Sequence, residues 1–183
     1  MTAHQPVRAA GAPEPGSPIP SHYSMCMACG AEHPNSLDVR LMAGEGVSVT
    51  GNYTVSELQQ GAPGIAHGGV LAAVMDELLG SLNWLLLAPA VTYRLQTTFH
   101  RPVPVGATLD LYAEVTEVAD RRVLCRGRAM LGDVVAVRAD GEFRQVSPEH
   151  FKTHGHPEFV RQASGVKPWR DPEERDPEEV VWP

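Results

Sequence analysis

The segment 68–87, GGVLAAVMDELLGSLNWLLL, constrains the fold of this chain more than any other feature. It contains few polar residues and no proline, and it is far too long for a single strand. A helix that is apolar on nearly every side must be surrounded by protein. Asp76, Glu77 and Asn83 interrupt the segment, and carboxylates are costly inside a bilayer, so a membrane span is disfavoured. We therefore predict one buried helix over residues 68–87.

The segments on both sides of this helix have the pattern of β-strands. Apolar residues alternate at period two after the helix, and Gly132-Asp133 separates two such segments in a manner typical of a hairpin. This pattern predicts an α+β fold in which a mostly antiparallel sheet wraps around one long central helix. The predicted strands are 36–42, 47–55, 91–99, 109–115, 123–131 and 134–143.

The two ends of the chain differ in composition from the part between them. Residues 1–20 hold five prolines and no apolar periodicity, which predicts a disordered Pro/Ala-rich arm. Residues 148–183 mix histidine, proline and dense charge, which predicts a charged Pro-rich C-terminal tail. The globular domain is accordingly expected over residues 21–147.

Net charge and cysteine content limit the partners and the compartment. The formal net charge of −7 argues against broad attraction to nucleic acid or to an anionic membrane, so we expect neither as a partner. An odd set of three cysteines argues against a disulfide framework, and the first residues lack the apolar core of a signal peptide. These features predict a cytoplasmic protein.

A metal site is not expected from the cysteine spacing. Cys26 and Cys29 have the spacing of metal ligands, but the chain has no second Cys-x-x-Cys. His22 or His33 would complete a site only through an irregular arrangement. The sequence therefore predicts that no metal is required.

The start of the helix, His67-Gly68-Gly69, is a candidate for chemistry. A helix N-terminus presents unpaired N–H groups and partial positive charge, and two glycines allow a ligand oxygen to approach that backbone closely. The motif could form an oxyanion hole. Alternatively, the glycines only permit a tight turn and His67 only caps or packs the helix.

Asp76 is the second candidate, because an uncompensated carboxylate is costly among apolar residues. It follows His67 by nine residues, or two and a half helical turns, so it faces away from the helix start of its own chain. Cooperation between the two would occur most naturally across a dimer. The alternative is an exposed Asp76-Glu77 pair on a solvent-facing stripe.

Three motifs in order resemble one known family. They are CMACGAEHPNSLDVRL, GAPGIAHGGVLAAVMDELLG and TYRLQTTFHRPVPVGATLDLYAEV, and together they cover roughly residues 22–145. They resemble the hotdog-fold acyl-CoA thioesterases of the PaaI-like group, and are most similar to the type of human thioesterase superfamily member 4. One departure is Gly61, at a position where many PaaI-like enzymes have Asn or Gln.

The resemblance implies hydrolysis of an acyl-coenzyme A to the free acid and coenzyme A at the two-fold interface of a homodimer or dimer of dimers. It implies that Asp76 is general base or nucleophile and that the Gly68 N–H polarises the thioester carbonyl. His67 would support the loop, and Thr92 would help hold the attacking water. No cofactor is implied beyond the coenzyme A of the substrate.

The substrate's phosphates require basic residues on an otherwise acidic protein. We expect Gly69, Glu77, Arg94 and Arg101 at the substrate, with Arg121, Arg122, Arg126 and Arg128 as further candidates. A non-catalytic hotdog domain that binds or senses acyl-CoA is one alternative. A hotdog enoyl-CoA hydratase is another, although the Asp and His dyad expected in one loop-helix unit is missing.

Overall fold

The computed structural model describes residues 6–163 of the chain, and it contains the predicted long strands and a central helical region. A short 3₁₀ helix, Glu57–Gln59, precedes the central helical region. The strands are β1 Arg40–Ala43, β2 Ser48–Thr54, β3 Gln60–Ala62, β4 Ile65–Ala66, β5 Ala90–Phe99, β6 Thr108–Ala119, β7 Arg122–Leu131 and β8 Val134–Gln145. The helices are α1 Gly68–Gly80, α2 Asn83–Leu86, α3 Pro148–His154 and α4 Pro157–Ala163.

Six strands form one sheet in the order β1-β2-β6-β7-β8-β5, and every neighbouring pair is antiparallel. Tight turns join β6 to β7 and β7 to β8, the second of them at Gly132, where φ is 57°. Helix α1 packs against β5, β6, β7 and β8. The predicted α+β hotdog fold, an antiparallel sheet around a central helix, is therefore confirmed.

Helix α1 approaches the sheet closely because two of the facing strand residues are glycines. A Cβ atom at Gly127 would lie 3.1 Å from a Leu79 methyl group, and one at Gly141 would lie 2.9 Å from the other. Leu79 itself is fully buried, as are Leu78 and Val74 on the same helix. The small residues of β7 and β8 thus make the space that the bulky residues of α1 fill.

The predicted helix over residues 68–87 is interrupted in the structure. Helix α1 ends at Gly80, and α2 follows after a turn at Ser81 and Leu82. The Ser81 hydroxyl donates to the Leu78 carbonyl at 2.8 Å, and the Asn83 amide donates to the Gly80 carbonyl at 3.0 Å. Such side-chain bonds compete with the regular helical pattern, which the apolar count alone did not reveal.

Helices α1 and α2 together, Gly68–Leu86, are long and apolar enough to span a membrane by length and composition. However, 61% of this segment is buried inside this domain, which is typical of a core helix.

Residues 6–20, which the composition assigns to a disordered arm, contact the outer edge of the sheet. Gly16 and Ile19 donate backbone hydrogen bonds of 2.8 Å to carbonyls of β1. The Arg8 guanidinium donates to the Gly46 carbonyl, with its Nε at 3.0 Å. An edge strand has unpaired backbone groups, and this proline-rich segment satisfies some of them despite having no apolar periodicity. Residues 1–5 lie outside the described part of the chain.

The predicted tail begins with two short helices, α3 and α4. Both start at a proline, which is well tolerated in the first helical turn. Phe151 and Phe159 remain exposed rather than anchored in the core. Residues 164–183 of the predicted tail lie outside the described residues.

Candidate active site

The first turn of α1 leaves one backbone donor unused. The His67 side chain caps the helix, since its Nδ1 accepts from the Gly69 N–H at 2.9 Å. The N–H groups of Val70 and Leu71 donate to the His67 carbonyl. The Gly68 N–H has no acceptor among the described residues. His67 therefore acts as a cap, and Gly68 retains the donor that an oxyanion would need.

The loop before α1 is braced by polar side chains near the position where the sequence departs from its relatives. The Gln59 side-chain carbonyl accepts from the Tyr53 hydroxyl at 2.7 Å and from the Ser56 N–H at 2.8 Å. A Cβ at Gly61 would lie 2.9 Å from the His67 backbone. Gly61 thus allows the loop to approach His67, and Gln59 supplies polar support from two residues earlier.

Two open depressions share Arg101, and one of them reaches the helix start. One, of about 280 Å³, is bordered by Gly68, Phe99 and Arg101. The other, of about 360 Å³, is bordered by Arg101 and Arg138. Both arginines are exposed and pair with no acidic side chain within residues 6–163. This region is therefore basic on a protein of negative net charge.

The other predicted arginines are placed differently. Arg122 and Arg126 pair with Glu117 and Glu114 on the sheet, and Arg128 stacks over the Tyr112 ring. Arg94 is exposed on β5 and borders neither depression. Sequence reasoning missed Arg138, because a lone arginine in a strand carries no motif.

Asp76 lies in the middle of α1, where Thr92 of β5 contacts it. The Thr92 hydroxyl donates to Asp76 Oδ1 at 2.9 Å, so the structure brings these two predicted residues together. The carboxylate is half-buried, and this desolvation raises the pKa of Asp76 while the Thr92 hydrogen bond opposes the shift. Asp76 is thus not part of a freely solvated acidic stripe.

One chain does not bring Asp76 to Gly68. Eight residues separate them, which corresponds to about 12 Å along the axis of one continuous helix. Asp76 follows His67 by nine residues, or about 13.5 Å along the same axis, so the two do not form a dyad within one chain. The chain therefore carries the Asp76 carboxylate in one place and the free Gly68 N–H in another.

Glu77 belongs to a different cluster. Its side chain is only 16% exposed and points to His22, Cys26 and Cys29 rather than to either depression. Burial raises the pKa of Glu77, and a hydrogen bond from Cys29 and the charge of His22 oppose that shift. Hydrogen bonding to its neighbours, Cys29 first, lowers the pKa of Cys26, whereas the same contact and burial raise that of Cys29.

Residues 63–138 match the family model described as the thioesterase superfamily. The mouse acyl-coenzyme A thioesterase THEM5 is 33% identical over 92 residues, which are 49% of this chain and 37% of that protein. Bovine acyl-coenzyme A thioesterase THEM4 is 29% identical over 96 residues, 51% of this chain and 39% of that protein. The crystal structure of RHA08564, a thioesterase superfamily protein, matches with a TM-score of 0.62 and 31% identity, covering 66% of this chain and 60% of that one.

The fold and the helix-borne site define a hotdog-fold domain. Its residues 63–138 are similar to the thioesterase superfamily, the resemblance on which its three motifs agree. The matched region spans less than two-fifths of the length of these two curated relatives.

Proposed function

We propose that this chain is an acyl-CoA thioesterase that works as a homodimer or a dimer of dimers. The observation that carries the proposal is the half-buried Asp76 on the central helix, held by Thr92 at 2.9 Å. A hydrolase needs such a group to generate the attacking oxygen. The names of the THEM5 and THEM4 relatives, which are acyl-coenzyme A thioesterases, support the same substrate class.

In the proposed reaction, Asp76 takes a proton from a water molecule whose oxygen attacks the thioester carbonyl carbon. Thr92 fixes the carboxylate through its donated hydrogen bond. The oxyanion that forms accepts a hydrogen bond from the Gly68 N–H of the opposite subunit, at the positive end of that helix. Collapse of this intermediate breaks the carbon–sulfur bond, and the coenzyme A thiol leaves with the proton.

The edge strand β5 supports a dimer as the working unit. It lies at one end of the sheet order, and Tyr93 and Phe99 on it are 65% and 48% exposed. A ten-residue edge with exposed aromatic rings is a natural surface for pairing with another chain. Thr92 lies on this edge and Phe99 borders the Gly68 depression, so pairing along β5 would place both half-sites near the interface.

Arg101 and Arg138 are the proposed anchors for the coenzyme A phosphates. Arg101 borders the depression at Gly68, Arg138 borders the neighbouring depression, and neither has an acidic partner among the described residues. We also propose a cytoplasmic location, supported by the odd number of cysteines.

The proposal is tested by assaying the full-length chain against a panel of acyl-CoA esters of different length, with the released thiol as readout. We expect release of coenzyme A that is saturable in substrate. An acyl-CoA-binding protein without turnover would instead retain intact ester with a measurable Kd. That second result would overturn the hydrolase assignment.

A further inference from the structure

A second group of reactive side chains lies one residue beyond the proposed base, and the thioesterase proposal does not use it. The group consists of His22, Cys26, Cys29 and Glu77, hereafter the HCCE cluster. One atom from each of the four, a ring nitrogen, two sulfurs and a carboxylate oxygen, lies within 4.8 Å of the other three. No second ligand pair was recognisable in the sequence because His22 and Glu77 are isolated residues, and Glu77 follows Cys29 by 48 positions.

The distances within the HCCE cluster approximate the edges of a tetrahedron around a metal ion. His22 Nδ1 lies 3.6 Å from Cys29 Sγ and 4.0 Å from Glu77 Oε1, and Cys26 Sγ lies 4.0 Å from Glu77 Oε2. Ordinary zinc–sulfur, zinc–nitrogen and zinc–oxygen bonds in tetrahedral geometry put neighbouring ligand atoms roughly 3.3–3.8 Å apart. The four ligand atoms are at most 4.8 Å apart, so contraction by up to about 1 Å would bring them to bonding distance.

The backbone of the turn that carries the two cysteines stabilises a thiolate and has a tightly constrained geometry. The Ala28 N–H donates to Cys26 Sγ at 3.3 Å, a contact that favours the thiolate. The Gly30 N–H donates to the Cys26 carbonyl at 2.9 Å, and a Cβ at Gly30 would lie only 2.4 Å from backbone atoms of Ser24 and Cys26. Only glycine permits this tight turn, so the geometry of the Cys-x-x-Cys-Gly segment is fixed by the backbone.

Neighbouring groups complete the surroundings that metal sites usually have. The Ser21 hydroxyl lies 3.3 Å from Cys29 Sγ, and the Arg40 guanidinium donates to the Cys29 carbonyl at 3.4 Å. Cys29 is buried, whereas the His22 side chain is 43% exposed and leaves a route for an ion. Outer contacts of this kind orient ligands and support metal affinity.

The geometry points to a zinc site formed by His22, Cys26, Cys29 and Glu77. Two thiolates select a soft or borderline cation over magnesium or calcium, and four ligands of the types Cys, Cys, His and Glu suit tetrahedral zinc. The ion would join the segment before β1 to helix α1 at the residue after Asp76. It would therefore act as a structural clamp on the middle of α1, whether or not the chain hydrolyses acyl-CoA.

The test uses the full-length protein, reduced, stripped of metal with a chelator and reconstituted with zinc or cobalt(II). We expect one zinc ion per chain by mass spectrometry of the metal, and a cobalt spectrum with sulfur-to-metal charge-transfer bands and tetrahedral d–d bands. The melting temperature should fall on chelation and recover with zinc, because an ion that binds only the folded state stabilises it.

Variants identify the ligands. Cys29→Ser, His22→Ala and Glu77→Gln should each lose most of the bound metal or change the cobalt spectrum. The matched controls Cys125→Ala, His33→Ala and Glu57→Gln should bind like the parent. Cys29 is buried, and its variant is the one most at risk of not folding. The variants of His22 and Glu77, which are less buried, therefore decide whether the ligands are correctly assigned.

Three results would overturn the site. The first is the absence of stoichiometric zinc or cobalt after reconstitution of the folded protein. The second is a cobalt spectrum that His22→Ala and Glu77→Gln both leave unchanged. The third is a Cys26–Cys29 disulfide that persists under the reducing conditions of the assay. Each of these readouts is independent of thioester hydrolysis.

Discussion

The first turn and the middle of helix α1 differ in what they offer a substrate. The first turn has an unpaired Gly68 N–H, an adjoining open depression and Arg101, but no carboxylate. The middle of the helix has the half-buried carboxylate of Asp76, fixed by Thr92, but no oxyanion donor among the described residues. In the proposed mechanism each region supplies the half of the site that the other lacks, and about 12 Å of helix keeps them apart within one chain.

Because of this separation, the proposed hydrolytic site requires two chains. A carboxylate placed directly at the helix N-terminus would itself occupy the positive end of the helix and its free N–H. Separation along α1 leaves the Gly68 donor free for a substrate oxygen. Association of two protomers would then unite the complementary halves.

The largest effect is expected at the middle of the helix. Asp76→Asn keeps the size of the side chain and removes its charge, so kcat should fall at least about a hundredfold, the lower range for general-base catalysis. KM should change far less, because the proposed phosphate anchors are elsewhere. Steady-state assays with one acyl-CoA ester provide the measurement.

Asp133→Asn, on the exposed turn between β7 and β8, is the matched control and should retain the parent's kcat. A folded Asp76→Asn variant within a few-fold of the parent would show that the carboxylate is wrongly assigned. If Glu77→Gln instead abolished turnover in a protein that remains folded, Glu77 would be the base.

The next largest effect is expected at the first turn. Gly68→Pro deletes the N–H at the first helical position, where proline is tolerated, and the ψ of 132° at His67 suits a residue before proline. A Cβ at Gly68 would meet the Phe99 ring at an ordinary 3.7 Å. Loss of one oxyanion donor should lower kcat about a hundredfold or more.

Gly68→Ala is the control, because it adds the same Cβ and keeps the N–H. It should retain most of the activity. Equal losses in the alanine and proline variants would indicate that the side-chain volume, and not the donor, matters at this position.

A smaller effect is expected at the contact between β5 and α1. Thr92→Val removes the hydrogen bond to Asp76 at nearly constant volume, and we expect kcat to fall roughly tenfold with KM unchanged, since hydrogen bonds to charged groups contribute about 1.5–3 kcal/mol. Thr92→Ser should restore most of the rate. A serine variant as slow as the valine variant would argue against a positioning role.

The smallest effect is expected at Arg101, which borders both depressions. Arg101→Gln should raise KM by up to about fivefold with kcat nearly unchanged, because exposed ion pairs contribute about 1 kcal/mol or less. The difference from the parent should shrink at high ionic strength. Arg126 is already paired with Glu114. The control Arg126→Gln should therefore leave KM unaltered at any salt concentration.

The fold was predictable from the sequence because each long helix or strand buries one face, and its apolar residues therefore recur at the period of that element. The apolar helix and the period-two strands were recognisable. The resemblance assigned Thr92 to the attacking water, and the structure adds its 2.9 Å hydrogen bond to Asp76. The break at Ser81 was not recognisable, because it depends on side-chain hydrogen bonds to carbonyls of the preceding turn. Apolar patterns carry no information about such contacts.

The missed features are those that depend on distant residues coming together. Residues 6–20 lack apolar periodicity, yet Gly16 and Ile19 pair with the free edge of β1. His22 and Glu77 are isolated in the sequence, and only the packing of the N-terminal segment on α1 brings them to Cys26 and Cys29. Tertiary contacts of this kind leave no local spacing signature.

The most direct test of the two-chain site is a hybrid dimer purified through two different affinity tags, one on an Asp76→Asn chain and one on a Gly68→Pro chain. Such a dimer contains one site with intact Asp76 and intact Gly68 and one site with both defects. We predict about half of the parent's activity per dimer, from two individually inactive variants. Activity no higher than that of either variant alone would contradict a site shared between subunits.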